Sequence, residues 1–80
     1  MIDRVTLQPN ESYEFQTDGN QYVVVVSCAE YGIQVFKGSF FLAKLDFLES
    51  YSCPANTGPY IIKNTGDLLA PVLLIRYILI

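Results

Sequence analysis

The sequence contains no histidine and no tryptophan, and charged residues make up only 16% of its 80 residues. Without histidine there is no Ser–His–Asp or Cys–His triad, no imidazole base and no imidazole metal ligand. Five Lys and Arg against eight Asp and Glu give a net charge of −3, and the cations are scattered singly along the chain. We therefore do not expect the protein to bind a nucleic-acid polymer through its phosphates.

Cysteine is also scarce, since only Cys28 and Cys53 are present. Two cysteines are too few for a disulfide framework, and neither has a basic neighbour in sequence that would lower its pKa. We expect two buried thiols in a reducing compartment, with a Cys28–Cys53 disulfide as the alternative.

No segment of the sequence is expected to enter a membrane. The apolar run from Leu68 to Ile80 is too short to span a bilayer and is interrupted by Pro71 and Arg76. The first residues, Met1 to Arg4, are not followed by the apolar region of a signal peptide. We predict a cytoplasmic protein.

Apolar residues, in contrast, are abundant: they make up 51% of the chain and include six Tyr and five Phe. A chain of this length forms one domain, residues 1–80, and buries only ~60–65% of the surface that its unfolded form exposes. Some apolar surface should therefore remain outside, which favours a homo-oligomer or a bound partner.

The apolar residues alternate or occur in short blocks between turn residues, which predicts strands rather than helices. Asp18-Gly19-Asn20 is the strongest hairpin signal, and Tyr22–Cys28 is predicted to be a central strand buried on both faces. Glu30, which closes that strand, is interpreted as a turn residue. The fold class is all-β, with about seven to nine short strands in a closed barrel or a two-sheet sandwich. The predicted strands lie within Ile2–Gln8, Ser12–Gln16, Tyr22–Cys28, Ile33–Lys37, Phe40–Leu48, Tyr51–Cys53, Tyr60–Lys63 and Val72–Leu79.

Two stretches predict a more specific face pattern. The last strand, Val72–Leu79, is apolar on both faces. For residues 40–48 a helix is the alternative, but the flanking Gly38-Ser39 and the aromatic start favour a strand. Strict alternation in that strand places Phe41, Ala43, Leu45 and Phe47 on one face, and Phe40, Leu42, Lys44 and Asp46 on the other.

The stretch Tyr51–Asn64 resembles the second motif of the cupins, in which a strand ends in proline, a small loop follows, and a further strand leads to asparagine or glycine. The stretch Val23–Gly38 resembles the strand, glycine turn and strand of the first motif. The sequence resembles the C-terminal cupin domain of type I mannose-6-phosphate isomerases, which ends in a strand close to Leu74–Tyr77. Over residues 2–78 this resemblance implies a small double-stranded β-helix, or jelly-roll barrel.

The sequence departs from the cupins at the positions that carry their chemistry. The cupin metal site uses two His and one Glu from the first motif and one His from the second, but Pro59 and Tyr60 stand at the place of the last ligand. Leu48 stands where glycine is expected before the second motif. The resemblance therefore implies a metal-free cupin without a cofactor or catalytic residues, and we expect the protein not to be an enzyme.

A ligand pocket in such a barrel opens near the loop of the second motif. Asn56, Tyr60 and Lys63 flank this loop and are candidate binding residues, together with the cations Lys44 and Arg76. If its strand face lines the barrel, Lys44 contributes to a pocket, and if not it is an ordinary solvated residue. Arg76 is interpreted as an edge-strand guard, a paired interface charge or an anion clamp.

Two functions follow from these patterns. The first is a non-catalytic interaction module that forms a homo-oligomer, or docks on another protein, through the C-terminal apolar strand Val72–Ile80. The alternative is a binder that sequesters a small anionic ligand, either a sugar phosphate or a signal nucleotide, as a small phage counter-defence protein would.

Overall fold

The computed structural model of the chain describes residues 1–17, 19–54 and 59–78. These residues form eight strands and no helix, so the predicted all-β class with seven to nine strands is confirmed. No helix in these ranges is long and apolar enough to cross a membrane. The strands are β1 (Ile2–Leu7), β2 (Ser12–Phe15), β3 (Gln21–Ser27), β4 (Ile33–Lys37), β5 (Phe40–Leu45), β6 (Ser50–Cys53), β7 (Tyr60–Asn64) and β8 (Ala70–Ile78).

The strands form two four-stranded antiparallel sheets. Sheet A has the order β1-β8-β3-β6, and sheet B has the order β2-β7-β4-β5. The first strand pairs with the eighth, the second with the seventh, the third with the sixth and the fourth with the fifth. This nested pairing is the topology of a double-stranded β-helix, or jelly roll.

The core lies between the two sheets and is filled by side chains. Because successive residues of a strand point to opposite faces, every second residue of β3 is buried, namely Val23, Val25 and Ser27. The buried apolar residues are Leu7, Phe15, Val23, Val25, Ala29, Ile33, Val35, Leu45, Cys53, Tyr60, Ile62, Ala70, Val72 and Leu74.

Strand β3 is central, as predicted, but it is not buried on both faces. Val24 and Val26 are only half-buried, because they point away from the core on the outer side of sheet A.

The predicted hairpin at residues 18–20 is wrong. Gly19 and Asn20 form a turn, but they connect β2 in sheet B to β3 in sheet A; Asp18 lies outside the described residues. The hairpin between consecutive strands is instead at Gly38-Ser39, where Gly38 has a φ of 60° and joins β4 to β5. A turn sequence fixes a reversal of the chain, but burial of apolar faces decides which strands then pair.

The alternation predicted for residues 40–48 is broken by a β-bulge. Val35 pairs with Ala43 and Phe36 pairs with Phe41, so Leu42 is an extra residue on β5. Phe41 therefore lies beside Phe36 on the outer face of sheet B, with ring centroids 5.7 Å apart, rather than on the same face as Ala43.

Candidate functional site

Sheet A turns a mostly apolar surface away from the core, which we call the apolar face. In one row across the sheet Ile75 lies between Ile2 and Val24, and in the next row Leu73 lies between Arg4 and Val26. Arg4 is the charged side chain among the described residues of this face. The apolar face consists of Ile2, Arg4 and Thr6 of β1, Pro71, Leu73, Ile75 and Tyr77 of β8, Tyr22, Val24 and Val26 of β3, and Ser50 and Ser52 of β6.

One end of the apolar face carries a stacked aromatic pair. Tyr22 and Tyr77 are opposite each other in the β3–β8 ladder, and their ring centroids are 4.9 Å apart with an interplanar angle of 11°. Tyr77 is 43% exposed. The pair therefore presents aromatic surface to solvent at this end of the sheet.

The outer face of sheet B is chemically different. Across the sheet, one row consists of Ser12, Lys63, Gln34 and Lys44. The next row consists of Glu14, Ile61, Phe36 and Phe41. Three charged side chains thus lie on this face, compared with one on the apolar face.

The structure places the candidate binding residues in different parts of the molecule. Lys44 and Lys63 lie on either side of Gln34 on the outer face of sheet B, so they face solvent rather than the barrel interior. Tyr60 is buried in the core and stacks on Phe15 at 5.8 Å. Lys44 and Lys63 are thus brought into one row, whereas Tyr60 takes part in core packing.

Arg76 is held by neighbouring strands and loops. Its Nε lies 3.4 Å from Oδ2 of Asp3, and its Nη1 donates to the carbonyl oxygen of Gln16 at 3.4 Å. It pairs in the ladder with Val23, whose side chain is buried, so Arg76 lies on the inner side of β8. Asn56 lies outside the described residues. The four candidates that the structure describes therefore do not form one site.

A pocket of about 210 Å³ lies at the other end of the apolar face. It is formed by the β3–β4 and β7–β8 connections, and it shares Pro71 with the face. Cys28 follows the last residue of β3, and its N–H donates to the carbonyl oxygen of Pro71 at 3.0 Å. The pocket is lined by Cys28, Ala29, Glu30, Tyr31, Gly66, Leu68, Leu69, Ala70 and Pro71.

The walls of this pocket are held by a buried amide. Asn64 is fully buried, and its Nδ2 donates to the carbonyl oxygens of Leu7 at 3.1 Å and Leu68 at 2.7 Å. Its Oδ1 accepts from the N–H of Gly66 at 2.9 Å. A single side chain thus ties the end of β1 to the β7–β8 connection.

The two connections also contact each other directly through Gly32. This residue has a φ of 98°, and a Cβ added to it would lie 2.8 Å from the backbone nitrogen of Gly66. Its carbonyl oxygen accepts from the N–H of Thr65 at 2.7 Å and from Thr65 Oγ1 at 2.8 Å. The close approach requires glycine at position 32.

A second bridge between the connections is formed by Tyr31 and Asp67. The Tyr31 hydroxyl donates to Oδ1 of Asp67. This hydrogen bond, together with the charge of Asp67, raises the pKa of the exposed Tyr31 hydroxyl. Glu30 is exposed in the turn, as predicted, and it is also part of the pocket lining.

Sequence patterns pointed to individual residues of the pocket but not to the pocket itself. Its lining comes from two connections that are more than thirty residues apart in the chain, and their contact depends on Asn64 and Gly32. Asn64, which ends the second cupin-like motif, is the sequence feature that could have indicated this contact.

The two cysteines occupy different environments. Cys53 is fully buried, and burial raises the pKa of its thiol to about 12. Cys28, expected to be buried, is only partly so because it lies in the pocket. Cys53 pairs with Val23, which precedes Cys28 by five residues. At about 3.3 Å per residue along a strand, Cys53 and Cys28 therefore lie about 17 Å apart. Both thiols are free, and this separation excludes a disulfide between them.

In the described residues, no three Cys, Asp or Glu side chains are grouped so that they could hold a metal ion. No family model and no curated protein matches the chain. A search of solved structures finds similarity to a de novo designed double-stranded β-helix determined by solution NMR, with a TM-score of 0.82 and 19% identity. The match covers 96% of this chain and 99% of the designed one. At this identity the similarity shows the fold alone, which is a double-stranded β-helix.

Proposed function

We propose that the protein is a non-catalytic module that forms a homodimer through the apolar face of sheet A. The observation that supports this most directly is the cluster of half-exposed Ile75, Val24 and Leu73 on the two central strands. A surface with almost no charge is complementary to itself under a twofold axis, which is the symmetry of most homodimers. A second copy of the chain is therefore the occupant that we propose.

The size of the face also bears on this proposal. Four strands about 4.8 Å apart and about six residues long give a flat area of about 400 Å². A standard interface removes about 800 Å² of accessible surface from each partner. The flat sheet supplies about half of this, so a stable dimer also needs the side chains at the two ends of the face.

The finer family assignment and the location are part of the same proposal. The kinship to metal-free cupins, and to the C-terminal domain of mannose-6-phosphate isomerases, rests on the motif-like stretches Tyr51–Asn64 and Val23–Gly38. Neither resemblance requires the chain to catalyse a reaction. The two free thiols fit a reducing compartment such as the cytoplasm.

The test introduces a charge at the centre of the apolar face. We expect the wild-type protein to sediment as a dimer of twice 9.0 kDa, and Val24→Lys to sediment as a monomer with an unchanged far-ultraviolet circular dichroism spectrum. Two desolvated lysines facing each other near the twofold axis repel, and neither has an acidic partner on this face. Analytical ultracentrifugation over a concentration series measures both species.

Ile61→Lys is the matched control. Ile61 is also a half-buried residue on the outer face of a central strand, but it belongs to sheet B. We expect this variant to remain a dimer. A wild-type protein that is monomeric throughout the concentration series would refute the proposal, and so would equal dissociation by both substitutions.

The alternative, sequestration of an anionic sugar phosphate or nucleotide, remains a prediction that no contact described above favours. The charged side chain of the pocket lining is Glu30, which repels an anion.

A further inference from the structure

The two ends of the apolar face differ, and we name them the projection and the recess. The projection is the stacked Tyr22–Tyr77 pair, and the recess is the pocket beside Cys28 and Pro71. Tyr77 follows Pro71 by six residues on β8, and Cys28 follows Tyr22 by six residues along β3. At about 3.3 Å per residue, the projection and the recess are about 20 Å apart within one molecule.

Two simple twofold axes bring two such faces together. An axis parallel to the strands places the tyrosine pair of one copy on the tyrosine pair of the other. The projections then hold the sheets apart, and the two recesses remain empty. An axis that crosses the strands at right angles reverses the second copy, so that each projection lies over the recess of the other copy.

We infer that, in the homodimer proposed above, the Tyr22–Tyr77 pair of each copy occupies the pocket of the other. This inference rests on the proposed self-association, and it names the contact that completes it. Each strand then lies over its own counterpart in reverse, so Tyr22 faces Cys28 and Tyr77 faces Pro71. The rings pack on the apolar lining, which includes Leu69.

The chemistry of the pocket fits a tyrosine. Aromatic rings with a polar end are enriched at interfaces, because the ring buries a large area while the hydroxyl keeps a hydrogen-bond partner. In this pocket the exposed carboxylate of Glu30 supplies an acceptor for a phenol. The contact also adds area at both ends of the face, where the flat sheet falls short of a standard interface.

Disulfide trapping tests the contact directly. In Tyr22→Cys, the new thiol is about 20 Å from Cys28 of the same molecule, which is too far for a bond within one chain. We expect mild oxidation to give a covalent dimer on a non-reducing gel, joined between position 22 of one copy and Cys28 of the other. Tyr13→Cys is the control, because Tyr13 is 38% exposed but lies on β2 in sheet B.

The double variant Tyr22→Cys/Cys28→Ser separates the two axes. We expect it to lose the covalent dimer. If the double variant crosslinks as well as the single one, the tyrosine ends meet each other, and the inference fails while the proposed dimer stands. If sedimentation shows a dimer but the single variant does not crosslink beyond the Tyr13→Cys control, the inference also fails alone.

A second measurement does not depend on thiol chemistry. We expect Tyr77→Ala to raise the dimer dissociation constant by about tenfold or more, as truncation of a buried interface tyrosine does, and Tyr13→Ala to leave it within about twofold. Equal dissociation constants for the two variants would overturn the inference. A monomeric wild-type protein would overturn both this inference and the proposed function.

Discussion

Leu48 adopts a strained backbone conformation, and its place in the cupin-like pattern already indicates this. It has a φ of 61°, in the left-handed region that favours glycine, and it stands where the cupin-like pattern expects glycine. The turn is nevertheless held firmly, because the N–H of Leu48 donates to the carbonyl oxygen of Ser27 at 2.8 Å. The side chain is exposed, so it offsets little of the backbone cost by burial.

We expect Leu48→Gly to increase the free energy of unfolding by about 1 kcal/mol, because glycine adopts a positive φ without the steric cost of a Cβ. Urea denaturation measures this change. Phe47→Gly is the control in the same turn: it has a similarly exposed side chain and no positive φ, and it should destabilise the protein. Destabilisation by both substitutions would show that Leu48 is not strained.

Cys53 makes stability depend on pH. Burial raises the pKa of its thiol from 9.0 to about 12, so above pH 9 the unfolded chain releases a proton that the folded chain keeps. This contribution to stability is complete below about pH 9 and is lost as the pH rises toward 12, at about 1.4 kcal/mol per pH unit. We expect Cys53→Val to lose less stability over this range than the wild type in urea denaturation. Parallel curves for the wild type and Cys53→Val would contradict the prediction.

At the scale of elements, the strands could be predicted from the sequence but their partners could not. Alternation of apolar residues fixes which side of β3 is buried, whereas the choice of β8 and β6 as its neighbours depends on how the two halves of the chain wind around each other. The turn at Gly19-Asn20 illustrates this, since a hairpin sequence there connects two sheets. The bulge at Leu42 likewise shifted Phe41 to the other face, because one extra residue reverses the alternation that follows it.

The connection between β7 and β8 depends on Asn64 in a way that local patterns do not show. We expect Asn64→Ala to lower the free energy of unfolding by about 2–4 kcal/mol, because two carbonyl oxygens and one N–H lose their partner at a buried position. Thr65→Ala removes one exposed hydrogen bond to Gly32 and should cost less than about 1 kcal/mol. Urea denaturation measures the free energy of unfolding of both variants. Similar losses of stability in the two would mean that the buried amide of Asn64 does not hold the β7–β8 connection in place.

At the scale of the whole molecule, the amino-acid composition predicts that some apolar surface remains exposed to solvent. It does not predict where on the molecule this surface lies. The location follows from adjacency: β8 and β3 are both apolar on their outer sides, and they become neighbours in sheet A. The candidate ligand site could not be predicted for the same reason. Lys63 is a candidate because it follows the loop of the cupin-like motif, and Lys44 is a candidate only if its strand face lines the barrel. Both lie on the outer side of sheet B, away from Arg76.

The bulge at Leu42 also limits the growth of sheet B by the addition of strands from other chains. Leu42 is on β5, which is an edge of sheet B, and the other edge, β2, is only four residues long. A bulged or very short edge offers no regular row of N–H and C=O groups onto which a foreign strand can be added. Growth of sheet B into a fibril by strand addition is thereby discouraged.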